Sequence, residues 1–133
     1  MIQEHHIEIR VRYQETDGQG HVHHANYFSY FELGRTEMLR AAGIGYERIE
    51  QLGIKLVVAE ISCRYHRPAQ FGEVLVLHTH TVSAKGARIR HRYELFRGDL
   101  LLAEGESTVA CVDNRGRVQR LPQVLLGTDE SMD

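Results

Sequence analysis

One stretch near the N-terminus combines a carboxylate, a glycine-marked loop and the start of an amphipathic helix. Asp17-Gly18 and Gly20 permit tight turns and positive φ, and helical periodicity begins near Ala25 or Asn26. A helix N-terminus leaves backbone N–H groups unpaired and carries roughly half a positive charge, so it can stabilise a developing oxyanion. An acid beside such a site indicates acyl chemistry.

The helix that follows is predicted to be the long one of the fold. Apolar or small residues recur at positions 27, 31, 34, 38 and 41, which is helical spacing. Asn26 is the expected N-cap, and Gly43 is the expected C-terminal stop. These limits give about 17 residues and a length of ~25 Å. Gly34 lies inside the apolar stripe, so we expect the helix backbone to approach another element closely there.

The remaining elements are strands with one short helix. Alternating residues predict a first strand over 7–13, and a short helix is expected over 46–52. Further strands are predicted over 55–65, 74–82, 87–96 and 100–112, with one helical turn over 123–126. Short turns between consecutive strands favour antiparallel pairing, hence an α+β fold with five to six strands around one helix. We expect a single domain over 1–126 and a disordered tail over 127–133. Long edge strands invite pairing with another subunit.

Length and charge exclude several function classes. The chain has 133 residues, with 16 basic and 18 acidic side chains and a net charge of −2. A chain of this size can bury a core without disulfides or metals. The charge balance provides no field that would attract nucleic acid, and no apolar run approaches a membrane span. The N-terminal residues lack the apolar core of a signal peptide, so we expect a cytoplasmic protein.

Cysteine, histidine and glycine spacings give no cofactor signature. Cys63 and Cys111 lie far apart and are expected to be reduced core thiols. His21, His23 and His24 do not match an established zinc spacing, so no metal site is predicted. The glycines around residue 18 do not form a phosphate loop, which disfavours nucleotide hydrolysis and dinucleotide binding.

Several linked motifs, in order along nearly the whole chain, resemble those of one enzyme family. They are Tyr13-x-x-Thr16-Asp17-x-x-Gly20-x-Val22, Ala25-Asn26-Tyr27-Phe28, Tyr30-Phe31-Glu32-x-Gly34-Arg35, Tyr65-x-Arg67-Pro68-Ala69 and Phe71-Gly72-Glu73. The sequence resembles the hotdog-fold acyl-CoA thioesterases of the 4-hydroxybenzoyl-CoA thioesterase type, which include the YbgC-like enzymes. This resemblance implies a curved antiparallel sheet wrapped around one long helix. It also implies a homodimer or homotetramer with active sites at the subunit interface.

The resemblance assigns roles to individual residues. Asp17 is implied to be catalytic, either as nucleophile or as general base for water, and the sequence leaves both roles open. His24 could orient water or substrate, while Tyr27 is expected to shape the pocket, because an unperturbed tyrosine has a pKa of about 10. The oxyanion would be bound by backbone N–H groups near Ala25, Asn26 and Tyr27. Gly20 of the motif is also implied in substrate binding, and Lys85 and Arg88 are expected at the nucleotide of coenzyme A.

The expected reaction is hydrolysis of an acyl-CoA thioester to a free acid and CoA, without metal or redox cofactor. Acyl carrier protein is an alternative acyl donor. Two other functions on the same fold remain open. One is a module that binds acyl-CoA or acyl carrier protein without hydrolysing it. The other is a dehydratase, which would need a His and acid pair such as His24 with an acid. The length and aromaticity of the acyl group depend on pocket depth, which these motifs do not specify.

Overall fold

Five strands form one antiparallel sheet in the computed structural model, which describes residues 3–126. The strands are β1 (Glu4–Arg10), β2 (Ile54–Tyr65), β3 (Val74–Lys85), β4 (Arg88–Arg97) and β5 (Leu100–Asp113). The helices are α1 (Asn26–Ala41) and α2 (Tyr46–Gln51), and single 3-10 turns span Tyr13–Glu15 and Gln123–Leu125. The strand order in the sheet is β1-β3-β4-β5-β2. The predicted α+β fold, a sheet around one long helix, is confirmed with five strands.

The first strand begins and ends three residues earlier than predicted, at Glu4 and Arg10 and not at 7 and 13. It stops at Arg10, which pairs with Val74, the first residue of β3. Beyond that pair β3 offers no further partner, because the chain turns at Gly72 with a φ of 84°. Val11 instead exchanges hydrogen bonds with this turn, donating to Glu73 O at 2.9 Å and accepting from Gly72 N–H at 3.0 Å. The prediction about a disordered tail falls on residues outside the described range.

Helix α1 crosses the concave side of the sheet and supplies the centre of the core. Tyr27, Tyr30, Phe31, Gly34 and Met38 are its buried residues, which confirms most of the predicted stripe. The Phe31 ring stacks on that of Tyr93 in β4 with centroids 4.3 Å apart. No helix among residues 3–126 is long and apolar enough to span a membrane.

Gly34 allows the close approach that its position in the stripe predicted. A Cβ at this position would stand 2.7 Å from Leu77 Cδ2 and closer still to Thr79 Oγ1. Both neighbours lie in β3 and are fully buried, so neither can move aside freely. The backbone of α1 therefore rests directly on β3.

A half-buried carboxylate, Glu15, connects the loop after β1 to the helix. Its Oε1 accepts hydrogen bonds from the Tyr30 hydroxyl at 2.8 Å and from Arg12 N–H at 2.9 Å. Its Oε2 accepts two more from the Arg12 guanidinium, at 3.0 and 3.1 Å. Burial alone would raise the pKa of Glu15, but these hydrogen bonds outweigh it and lower the pKa. Burial and the adjacent Glu15 carboxylate raise the pKa of Tyr30.

The backbone carbonyl of the same residue binds the segment that enters α1. It accepts hydrogen bonds from His23 N–H at 2.8 Å and from the Asn26 side-chain amide at 2.9 Å. Glu15 thus holds both the first turn of α1 and the chain immediately before it. The hydrogen bond between the Glu15 carbonyl and the His23 N–H therefore joins the two ends of the loop formed by residues 15–23.

Removal of the Tyr30 hydroxyl tests the importance of this connection. In Tyr30→Phe the ionised Glu15 carboxylate loses a buried donor, which costs about 1.5–3 kcal/mol for a hydrogen bond to a charged group. We expect the free energy of unfolding, measured with urea, to fall by that amount. Tyr46→Phe is the matched control, because Tyr46 is 75% exposed and its hydroxyl should contribute little. Equal stability of the two variants would contradict this role for Glu15.

Candidate active site

Asp17 lies in a tight turn that its own side chain and backbone stabilise. Its N–H donates to His21 O at 2.8 Å, and its carbonyl accepts from Gly20 N–H at 3.0 Å. Its Oδ1 accepts from Gln19 N–H at 2.8 Å and from His21 N–H at 3.3 Å. Gly20 has a φ of 82°, a conformation that favours glycine. The hydrogen bond from Gln19, supported by that from His21, lowers the pKa of Asp17. The exposed carboxylate is therefore ionised at neutral pH.

The chain contains the same turn a second time, at Asp113. There Oδ1 accepts from Arg115 N–H at 2.8 Å and from Arg117 N–H at 2.9 Å. Gly116 takes the place of Gly20, with a φ of 81°. A turn of this geometry is consequently not by itself a sign of catalysis.

The second carboxylate oxygen distinguishes the two aspartates. Oδ2 of Asp113 accepts from Arg117 Nε at 3.0 Å and from Gln119 Nε2 at 3.4 Å. Oδ2 of Asp17 accepts no hydrogen bond from any residue between 3 and 126. The turn therefore fixes the Asp17 carboxylate through Oδ1 and leaves Oδ2 available to a substrate or a water molecule.

Backbone contacts hold the Asp17 turn beside the start of α1. Val22 N–H donates to Ala69 O at 2.8 Å, and His21 forms a bridge with Gln70. His23 N–H is bound to Glu15, as described above. The turn therefore lies between the segment preceding β3 and the first residues of α1.

The start of α1 differs from the prediction in its cap. Asn26 is not the N-cap: it lies inside the helix after Ala25, and its side chain reaches back to Glu15 O. The Ala25 N–H instead donates to His23 Nδ1 at 3.1 Å. The His23 ring thus accepts the N–H of the N-cap residue Ala25, while the His23 backbone N–H is bound to Glu15 O. The N-cap prediction, which rested on the preference for asparagine at that position, did not identify this histidine.

The three predicted oxyanion donors are not equally available. Ala25 N–H is bound to His23, and Asn26 N–H donates to His23 O at 2.9 Å. Tyr27 N–H has the longest hydrogen bond of the three, 3.4 Å to His24 O. A hydrogen bond of that length is weak, so of these three N–H groups that of Tyr27 is the most available to a substrate oxygen.

His24 and Tyr27 occupy different environments. The side chain of His24 is exposed and its ring stacks on that of His23, with centroids 4.1 Å apart. Tyr27 is only 2% exposed, and burial raises the pKa of its hydroxyl, which bonds to the Ala69 backbone. Tyr27 therefore has a buried packing position in the first turn of α1, while His24 faces solvent.

Tyr65, at the end of β2, is a site residue that sequence reasoning did not assign. Its hydroxyl donates to His24 O at 2.8 Å, and its ring meets that of Tyr27 edge-on at 4.9 Å. These contacts bring the end of β2 against the start of α1. The residue stands in a motif of the family resemblance, but its partner lies 41 positions away, so only the tertiary structure identifies the pair.

The predicted nucleotide-binding residues lie far from Asp17 within one subunit. Lys85 and Arg88 are exposed and pair across the turn between β3 and β4. The Asp17 turn adjoins the opposite end of β3, near Val74, and a strand of this length spans about 36 Å. Arg67 is exposed and closer, since it lies two residues before the Ala69 carbonyl that binds Val22.

A groove of about 820 Å³ opens at the other end of α1. It is lined by the second half of α1, by α2 and by the first half of β2, mostly with apolar side chains. His91 also lines it; burial, with a smaller contribution from Arg35, lowers the pKa of His91 to about 3. The volume suits a small-molecule ligand. Within this chain the groove and the Asp17 turn lie toward opposite ends of α1.

The two cysteines are free thiols, as predicted. Cys111 is buried and Cys63 is partly buried. Burial raises the pKa of Cys63 to about 11 and also raises that of Cys111. Both thiols are therefore protonated at neutral pH and are poor nucleophiles.

Comparisons with known proteins agree with this architecture. Residues 11–128 match the model of the thioesterase-like superfamily. A putative esterase of Aquifex aeolicus is 32% identical over 117 residues, covering 88% of this chain and 91% of that protein. The acyl-CoA thioesterase YbgC of Haemophilus influenzae is 35% identical over 106 residues, or 79% and 78% of the two chains.

A solved structure shows the same fold. The probable thioesterase from Bartonella henselae is 30% identical and superposes with a TM-score of 0.85, covering 90% of this chain and 99% of the other. The family model extends over the Asp17 turn, α1 and all but the first strand, so the chain belongs to the thioesterase-like superfamily.

Proposed function

We propose that the protein hydrolyses acyl-CoA thioesters, with Asp17 as the catalytic carboxylate. The observation that carries this proposal is the Oδ2 of an ionised Asp17, which accepts no hydrogen bond from residues 3–126 and belongs to a turn held next to the start of α1. The names of the relatives, acyl-CoA thioesterase among them, support the same reaction. Acyl carrier protein remains an alternative acyl donor.

The reaction needs a nucleophile for the carbonyl carbon and a donor for the carbonyl oxygen. Either Asp17 Oδ2 attacks the carbon, giving an anhydride that water then cleaves, or it takes a proton from an attacking water. In both routes the C–S bond breaks, and the thiolate of CoA leaves and is protonated. The Tyr27 N–H, at the positive end of α1, stabilises the negative charge that develops on oxygen. His24 is exposed beside this position and could orient water.

Thioester hydrolysis changes no oxidation state, and Asp17 with the Tyr27 N–H would supply the nucleophile or base and the oxyanion donor, so we propose that the reaction uses no metal or redox cofactor. The two rival functions make different demands. A module that only binds acyl-CoA needs no free carboxylate, whereas Asp17 keeps Oδ2 free. A dehydratase would require His24 to exchange protons with an acid, and His24 stacks on another histidine instead.

We further propose a homodimer that forms along β2. This strand is a free edge of the sheet and runs for 12 residues. It exposes apolar side chains, including Val57 at 41% and Val58 at 45%. A long apolar edge of this kind is prone to pair with another strand. A homotetramer built from two such dimers is also compatible with the chain, and cytoplasmic location remains our prediction.

Pairing of two β2 strands would complete the active site. About a twofold axis, antiparallel pairing over the full strand sets Tyr65 of one subunit opposite Ile54 of the other. The Asp17 turn lies at the Tyr65 end, and the groove of 820 Å³ lies at the Ile54 end. We therefore propose that the acyl group enters the groove of the partner subunit. Arg67 is the proposed contact for CoA phosphates within the Asp17 subunit, and Lys85 and Arg88 can contribute only from another subunit.

Asp17→Asn tests the catalytic assignment. The asparagine Oδ1 can still accept both backbone hydrogen bonds, so the turn should persist while the charge and basicity of Oδ2 are lost. We expect the rate of thiol release from a panel of short, long and aromatic acyl-CoAs to fall about 10²–10⁴-fold. Asp113→Asn is the matched control, because it makes the same change in the same turn and should retain wild-type turnover. Retained turnover in folded Asp17→Asn would refute the assignment.

The low pKa of Asp17 predicts the acid limb of the pH profile. The carboxylate is the active form in either role, and its pKa lies below the ordinary value of about 3.9. We expect kcat/KM to stay level as the pH falls toward that value and to decline only below it. The profile should be measured from about pH 8 to about pH 3, with circular dichroism at each point to confirm folding. An acid limb with a pKa well above 4 would contradict an unaided Asp17 base or nucleophile.

Complementation between two inactive variants tests the shared site. Thr36 is exposed and lines the groove, so Thr36→Trp should block the groove without disturbing the core. Co-expressed with Asp17→Asn, it forms mixed dimers in which one site carries both defects and the other carries none. We expect about a quarter of wild-type activity from a statistical mixture, and none from either variant alone. Absence of recovery in a preparation of proven mixed dimers would place turn and groove in the same subunit.

A further inference from the structure

A cluster of histidines and acids lies on the convex face of the sheet. Strands β1 and β3 pair so that Glu4 is opposite His80 and His6 is opposite His78. Alternate residues of a strand share one face, and the intervening β3 residues, such as Thr79, are buried against α1. The four side chains therefore project from the face opposite α1. Sequence spacing suggested no role for them, because the pairing register brings them together.

Three of these side chains offer ligand atoms in close proximity. One oxygen or nitrogen from each of Glu4, His78 and His80 lies within 4.8 Å of the other two. The His-x-His spacing on β3 supplies two imidazoles on one face, and the cross-strand carboxylate supplies the third ligand. Imidazole nitrogen and carboxylate oxygen are both common zinc ligands.

The two nitrogens of His80 face two different carboxylates. Its Nε2 lies 3.2 Å from Glu94 Oε1 in β4, and its Nδ1 lies 3.9 Å from Glu4 Oε2. If Nε2–H donates to Glu94, Nδ1 presents a lone pair toward a carboxylate oxygen. A cation between these two acceptors would relieve their repulsion. Histidines that bind metals commonly donate their other N–H to a carboxylate in this way.

Neighbouring groups orient the other two ligands. His6 Nε2 is hydrogen bonded to Glu4 Oε1 at 2.9 Å, which leaves Oε2 directed toward His80. The ring of His78 stacks on that of His6 with centroids 3.7 Å apart and an angle of 9°. Arg92 lies 3.5 Å from Glu94 and is the nearby cation that would compete for that carboxylate.

We propose that Glu4, His78 and His80 bind a divalent cation of the zinc class, with Glu94 and His6 as orienting partners. Metal–ligand distances of about 2.0–2.2 Å require the three side chains to close by roughly 1 Å, and the exposed side chain of Glu4 has room for this shift. Water can take the fourth position. The cation would join β1, an edge strand of seven residues, to β3. The site lies on the opposite face of the sheet from α1, so this role is structural and separate from thioester hydrolysis.

Zinc binding to the full chain, prepared without an affinity tag and freed of metal with a chelator, tests this proposal. Competition with a chromophoric chelator should give one Zn²⁺ per chain and a rise in Tm on binding. His80→Gln should abolish both effects. Glu94→Gln, which keeps all three ligands, should weaken zinc binding by about 10–100-fold and serves if His80→Gln does not fold. His66→Gln is the matched control, because His66 also faces an acid, Glu104 at 3.7 Å, but directly follows the end of β2, away from this cluster.

The outcomes separate clearly. Stoichiometric binding that is weakened by the His80 or Glu94 substitution, and unchanged in His66→Gln, supports the site. Absence of zinc binding by the wild type overturns it. Binding that neither His80→Gln nor Glu94→Gln weakens, or that is lost equally in His66→Gln, shows adventitious coordination and also overturns it.

Discussion

The contact between Glu15 and the beginning of α1 is the constraint on which the rest of the site depends. A single residue binds Tyr30 with its carboxylate and the His23–Asn26 segment with its carbonyl. Hydrogen bonds from Arg12 and Tyr30 compensate the charge of this half-buried carboxylate. They hold the loop and the helix in a rigid arrangement. The distance from the Asp17 turn to the Tyr27 N–H is therefore determined by the core of the protein and not by the flexibility of a loop.

The duplicated aspartate turn separates local structure from function. Asp17 and Asp113 satisfy the same backbone donors with the same atom, and each turn ends in a glycine with positive φ. Turn chemistry explains why an aspartate and a glycine are needed at both places. It does not explain why Oδ2 of Asp17 is free while that of Asp113 is bound. That difference depends on the neighbours: Arg117 and Gln119 surround Asp113, whereas the start of a helix lies beside Asp17.

Periodicity and turn residues were sufficient to predict the strands, both helices and the close approach at Gly34, because these features depend on neighbours in sequence. Contacts between distant residues could not be predicted in this way. Tyr30 and Tyr65 each bind a residue on another element, and the Glu4–His80 pair depends on strand register. The Asn26 cap was wrong for a related reason, since a tertiary contact draws its side chain to Glu15 and leaves the helix end to His23.

The glycine in the middle of α1 also bears on the shape of the groove. At Gly34 the helix backbone lies against the buried side chains of Leu77 and Thr79 in β3, and the nearby Glu32 and Arg35 line the groove. A larger residue at position 34 would push the helix away from β3 and move these two lining residues with it. A substitution can therefore reshape the groove from a position that does not line it, and comparisons of related enzymes that consider only groove-lining residues would overlook it.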